Sequence, residues 1–180
     1  VRIAVLGCGR IGRMHADNIA AHPRAELAGV FDVHDPSATE VATEHDVRKF
    51  ASAEDVFSSL EIDAVLIATS TPTHVDFIEQ GVRARKAILC EKPIDTTLEK
   101  IDQALAAVED AGVKFQVGFN RRFDPSFRRA KELIDGGAVG RPEVVRITSR
   151  DPAPPPAEYI KVSGGLFLDM MVHDFDMAVF

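Results

Sequence analysis

With 180 residues, 46% of them hydrophobic, the chain can bury the core of one large domain, or of a domain plus the start of another. Its formal net charge of −7 is spread along the chain and no basic stripe offsets it, which argues against nonspecific binding to nucleic acid or anionic lipid. No apolar run approaches the roughly 18 residues of a membrane span and none forms a signal-peptide core, so the expectation is a cytoplasmic protein with reduced Cys8 and Cys90.

The chain opens on a strand, Val1, Ile3, Ala4, Val5 and Leu6, apolar almost throughout as a parallel strand buried on both faces should be. Gly7, Gly9 and Gly12 follow at G-x-G-x-x-G spacing. Gly7 permits a sharp turn, Gly9 lets backbone approach a pyrophosphate, and Gly12 lets the next helix lie close to the strand. Arg10 and Ile11 complete this cradle, where the free N–H groups of the helix over residues 10–21 would face phosphate. A second strand over residues 26–32 ends at Asp32, about 20 residues beyond Gly12, where a ribose-binding acid belongs. Such an acid favours NAD, because it would repel a 2′-phosphate. His15 and His22 read as solvated or capping side chains.

Strand and helix go on alternating: a helix over 36–44, a short strand over 47–50, and a capping pattern at Ser52 before 56–60. An apolar strand over 63–69, a helix over 73–85, a strand over 87–90, a helix over 98–111 and a strand over 114–118 complete the series. This is an α/β doubly wound parallel sheet, a Rossmann domain over residues 1–119. Residues 120–180 begin a second domain, with a helix over 125–135, an alternating strand over 143–150, a proline-rich loop over 151–158 and a helical stretch over 166–180.

Ligands of such a sheet bind beyond the carboxyl ends of the strands. The fourth strand ends in Thr69, Ser70, Thr71, Pro72, Thr73 and His74, of which Thr69, Ser70, Pro72 and His74 are candidate cofactor contacts; Thr71 or Thr73 equally suits helix capping. The fifth ends in Cys90, Glu91, Lys92 and Pro93, placing Glu91 and Lys92 at the crevice, where an ammonium could stabilise charge developing on a substrate oxygen. At about 100° per residue, Asp169, His173 and Asp176 share one helical face and Asp174 points elsewhere. That face reads as an acid-base pair, a metal site or a solvated surface.

Four motifs in order then resemble one family: G-C-G-R-I-G at the first turn, C-E-K-P at 90–93, G-F-N-R-R-F-D at 118–124, and G-G-L-F-L-D-M-M-V-H-D-F-D at 164–176. They are similar to the glucose-fructose oxidoreductase and inositol dehydrogenase family, and the stretch over 149–160 looks most like its inositol 2-dehydrogenase branch. The resemblance implies a second α/β domain with an open, mainly antiparallel sheet, assembly into homotetramers when full length, NAD as cofactor and no metal. It also implies a cis bond before Pro93, catalytic roles for Lys92, Asp169 and His173, and substrate contacts from Lys92, Asn120, Arg121, Asp169, His173 and Asp176. The expected reaction is oxidation of a secondary ring hydroxyl, myo-inositol to 2-keto-myo-inositol, with another sugar as the alternative. A dinucleotide-binding module without turnover, or a truncated homologue, would keep the cradle and need nothing from His173. A methyltransferase fits less well, because it explains neither the E-K-P strand end nor the His-Asp face. Chains of this family run to roughly twice the present length, so much of the second domain's sheet is expected to lie outside the sequence.

Overall fold

The computed structural model describes residues 1–155, 157–160 and 163–180; Pro156, within the expected proline-rich loop, lies outside them. The chain divides into two compact units, Val1–Gly118 and Phe119–Phe180.

The first unit is a six-stranded parallel sheet of β1 (Arg2–Leu6), β2 (Glu26–Phe31), β3 (Arg48–Lys49), β4 (Ala64–Ile67), β5 (Ala87–Cys90) and β6 (Phe115–Val117). The strand order β3-β2-β1-β4-β5-β6 reverses direction between β1 and β4, which opens a crevice at that switch point. The helices are α1 (Arg10–Ala21), α2 (Asp35–Glu44), α3 (Ala53–Ser58), α4 (His74–Arg83) and α5 (Leu98–Ala111). Strand pleating sorts the apolar residues into two cores. Ala4, Leu6, Val65, Ile67 and Ile88 pack with residues of α3, α4 and α5, whereas Val5, Val30 and Leu66 pack with Ala16 and Ile19 of α1 and Val41 of α2.

Local chemistry explains most boundaries. Ser52 caps α3 by accepting from the Asp55 N–H at 3.1 Å, and its hydroxyl donates to the Asp55 carboxylate at 2.8 Å. β3, expected over 47–50, pairs Arg48 and Lys49 with β2 at the edge of the sheet. The helix expected over 73–85 begins instead with a 3₁₀ turn at Thr71–Thr73 and finishes at Arg83, followed by Arg85 at φ +56°.

In the second unit, Asp124 caps α6 (Pro125–Asp135) by accepting from the N–H groups of Ser126 and Phe127 at 2.8 and 3.2 Å, with Pro125 at the first helical position. The strand expected over 143–150 does not form, and Val144 and Val145 are 85% and 65% exposed. Alternation alone does not make a strand; its N–H and C=O groups need a neighbour, and no described strand lies beside this segment. A single turn, α7 (Ala157–Ile160), interrupts the proline-rich stretch. The helix expected over 166–180 is composite, π-helical at Phe167–Met171 and then α8 (Val172–Val179). Among the described residues no helix is long and apolar enough to cross a membrane.

Candidate active site

Register aligns the carboxyl ends of four strands, with Leu6 opposite Ile67, Ile67 opposite Cys90 and Cys90 opposite Val117. The ladder runs one bond further: Ala68 N–H donates to Leu6 O, Glu91 N–H to Ile67 O and Gly118 N–H to Cys90 O, at 2.8 to 2.9 Å. Gly7, Thr69, Glu91 and Lys92 therefore leave the sheet along one edge, anchored by hydrogen bonds.

The glycine turn has the shape a pyrophosphate needs. Gly7 sits at φ +96°, and a Cβ there would lie 2.4 Å from Ala68 O. A Cβ on Gly12 would lie 1.8 Å from Gly7 O, so α1 starts against the turn itself. Above Gly9 a Cβ would meet nothing within 4 Å, which leaves open the space that a phosphate approaching the first N–H groups of α1 would use. Arg10 and Ile11 form the first turn of that helix.

Asp32 follows the end of β2. Its carboxylate accepts from the Cys8 N–H at 2.6 Å and from the His34 N–H at 2.8 Å, so two backbone donors fix its orientation beside the cradle. Both cysteines are free, buried thiols, as expected. Burial, then the charge of Asp32, pushes the Cys8 thiol up to about 12, and burial raises that of Cys90 as well, which makes both poor nucleophiles.

At the end of β4, the Thr73 hydroxyl donates to Ser70 O at 2.8 Å and lies 2.7 Å from the Thr69 hydroxyl, so Thr73 serves the 3₁₀ turn, while Ser70 and Pro72 are exposed. His74 departs from its expected place as a cofactor contact. It is 2% exposed, and its Nδ1 and Nε2 lie 2.8 and 3.0 Å from the carbonyl oxygens of Pro93 and Thr69, leaving no ring nitrogen for a ligand. His15, expected to be solvated or capping, holds the Glu91 carboxylate through Nε2 at 2.7 Å. Glu91 is thereby directed to a protein partner. Burial pushes its carboxyl up, but the hydrogen bond and charge of His15, with the N–H and charge of Lys92, outweigh burial and hold it below the usual carboxylate range. The Lys92–Pro93 peptide is cis. An apolar trough of about 490 Å³ along the sheet is lined by Ile3, Ile19, Leu66, Leu89 and Phe115, with His15 also lining it.

In the second unit the residues of the third and fourth motifs meet. Arg121 pairs with Asp174, which also accepts from the Ser149 hydroxyl at 2.7 Å. Arg122 grips Asp176 through Nε at 2.8 Å and Nη2 at 2.5 Å, and its guanidinium lies 5.1 Å from the Phe180 ring centroid and 5.9 Å from that of Phe119. Phe119 also meets the edge of the His173 ring, with centroids 6.5 Å apart. Asp169 accepts from the Tyr159 hydroxyl at 2.7 Å. Asp169 lies in the π-helical turn, whose wider i to i+5 pitch departs from the 100° spacing assumed for it. Asp176, 6% exposed, and Arg121 thus come already paired, and a substrate hydroxyl would share them with Arg122 and Asp174. The helical wheel sets Asp174 apart from the Asp169 face, yet it pairs with Arg121, and Arg122 and Tyr159 carry no sequence signal beyond the opposite charges of N-R-R and D-F-D.

The fold and cradle define a dinucleotide-binding Rossmann domain with a second unit carrying paired charges around a histidine. Residues 1–119 match the model of the oxidoreductase family with an NAD-binding Rossmann fold, and residues 127–180 match the GFO/IDH/MocA C-terminal domain. The chain belongs to this family, and its first unit is an NAD-binding domain. It is 48% identical to the inositol 2-dehydrogenase of Rhizobium meliloti (strain 1021), covering 100% of this chain and 54% of that protein. Among solved structures it is similar to a myo-inositol dehydrogenase from Corynebacterium glutamicum ATCC 13032, at 43% identity and TM-score 0.92, covering 99% of this chain and 54% of that one. It is also similar to a scyllo-inositol dehydrogenase from Lactobacillus casei described with bound NAD(H) and scyllo-inositol, at 36% identity and TM-score 0.87, covering 99% and 55%. The chain spans about half the length of the relatives it matches.

Proposed function

We propose that the whole protein is an NAD-dependent dehydrogenase oxidising a secondary ring hydroxyl of a cyclic polyol, with myo-inositol to 2-keto-myo-inositol as the specific reaction. The observation that carries this reading is the similarity of both units, over their whole length, to inositol dehydrogenases. The residues fit: an open Gly9 face for pyrophosphate, an oriented Asp32 for ribose hydroxyls, and Ser70 and Pro72 exposed at the next strand end.

Bound NAD supplies the hydride acceptor. His173 takes the hydroxyl proton as general base, and the negative charge of Asp169 favours the resulting imidazolium. The Lys92 ammonium stabilises the oxygen as it gains negative charge, a preorganised contact worth about 3 kcal/mol in the transition state. Asn120 and the paired Arg121 and Asp176 orient the remaining ring hydroxyls. The oriented Asp32 carboxylate would repel a 2′-phosphate, which favours NAD over NADP.

Absorbance at 340 nm, with NAD and a panel of inositols and aldoses, tests the reading on the whole protein and its His173→Ala variant. NAD reduction with myo-inositol that collapses by about 10²-fold or more in the variant is expected. Retained NAD binding with no turnover of any polyol overturns it in favour of a module without turnover.

A further inference from the structure

Lys92 carries a role in the proposed reaction, yet a lysine side chain has four rotatable bonds, and a backbone leaving a sheet edge does not by itself fix where the ammonium sits. The structure holds the residues on both sides of it. Glu91 N–H is bonded to Ile67 O at 2.9 Å, and the Glu91 side chain folds back so that Oε1 accepts from His15 Nε2 at 2.7 Å and Oε2 from the Lys92 N–H at 3.2 Å. Gly118, at the end of β6, closes the remaining space, since a Cβ there would stand 2.9 Å from the Glu91 carboxylate. On the other side, the Pro93 carbonyl accepts from His74 Nδ1 at 2.8 Å, and His74 Nε2 lies 3.0 Å from Thr69 O. Both of those oxygens only accept, so whichever ring nitrogen carries the proton donates to one of them.

We infer that His15 and His74 are positioning residues for Lys92, His15 acting through the Glu91 carboxylate and His74 through the Pro93 carbonyl. Each ties the Glu91–Pro93 turn to a part of the fold that cannot drift: His15 to α1, which starts at the glycine cradle, and His74 to the end of β4 through Thr69. The Lys92 backbone from which the side chain springs is thereby fixed before substrate arrives, which narrows the positions the ammonium can take, as electrostatic stabilisation of a developing oxyanion requires. The inference rests on the reading of Lys92 as the group that meets the reacting oxygen.

The test is a set of double-mutant cycles in the whole protein, with kcat and KM for the polyol measured separately. His15→Ala and His74→Ala are each expected to lower kcat by about 10²-fold, the effect of a small displacement of a reacting group. In a Lys92→Ala background the same substitutions should cost less than about twofold. His15→Gln, whose amide N–H can still donate to Glu91, should recover most of the loss. His74→Gln, whose amide N–H can still donate to one of the two carbonyls, should give an intermediate loss and serves if His74→Ala does not fold. Equal losses with and without Lys92 overturn the inference, because a merely structural role is blind to that residue. The proposed function fails separately, if the wild-type protein turns over no polyol or Lys92→Ala leaves turnover unchanged. The inference is then read from Lys92 itself, by mass-spectrometric acetylation rates: a change of at least about twofold at Lys92 in either histidine variant, with Lys49 and Lys114 unchanged, sustains it. An unchanged Lys92 rate overturns it.

Discussion

Asp32 illustrates how a single side chain is held in one orientation. Accepting from two backbone N–H groups, its carboxylate presents its remaining lone pairs in a fixed direction. Replacing it with Ala removes charge-assisted hydrogen bonds of about 1.5 to 3 kcal/mol, so NAD affinity in a fluorescence titration should fall roughly 10- to 100-fold. The variant should also lose its discrimination against NADP. Glu91 makes a pH-dependent contribution whose sign follows from its surroundings. Its carboxyl titrates below the usual range when folded, so the stability it adds is fully present above the unfolded value of about 4.3 and is lost as pH falls through the folded value. The urea midpoint of Glu91→Gln should therefore lie below wild type at pH 7, and the gap should narrow as pH is lowered through and below 4.3 (about the ordinary carboxylate value). A gap that widens in acid would contradict the pairing with His15.

Among the elements, short ones owe most to their ends. α3 has only six residues, too few to be stable by propagation, and its Ser52 cap satisfies one of its orphan N–H groups. Ser52→Ala should cost about 1 kcal/mol in chemical denaturation, and Ser52→Asn, another capping side chain, should recover most of it. The strand end leading into β5 depends on a different device. Lys86 is buried, and its ammonium donates to the carbonyls of Ser59 and Ile62, at 2.8 Å each, closing the turn between α3 and β4. In the second unit, the two arginines of N-R-R-F-D tie the chain at 121–122 to Asp174 and Asp176 of α8, the helix that carries His173.

At the scale of the molecule, the parallel sheet brings the ends of its strands to one edge on which the glycine turn, Asp32 and Lys92 are collected. Ligand binding at that edge is linked to folding. NAD at 100 times its dissociation constant should stabilise the protein by about 2.7 kcal/mol, read as a shift in its denaturation midpoint, and NADP at the same concentration should shift it less. An equal shift from both would mean that Asp32 does not read the ribose.

The order of the elements, the Rossmann sheet, the glycine cradle and Asp32 were legible from residues alone, because each is a local signal: apolar periodicity, glycine spacing, and an acid at a strand end. The same local signals misplaced what depends on partners distant in sequence. The alternation at 143–150 describes a face for a strand, yet a strand exists only where another offers hydrogen bonds. A helical wheel put Asp169, His173 and Asp176 on one face but could not show that Asp169 meets Tyr159 and Asp176 meets Arg122. His15 and His74 looked like surface or ligand groups, since nothing within a few residues of either predicts Glu91, Pro93 or Thr69 as its partner. Sequence by itself thus determined the fold class and the position of the glycine turn, which short-range sterics and periodicity encode. Tertiary structure alone decided which polar side chains are spent on one another, because hydrogen bonding between residues 19 to 76 positions apart depends on the folded geometry of the sheet.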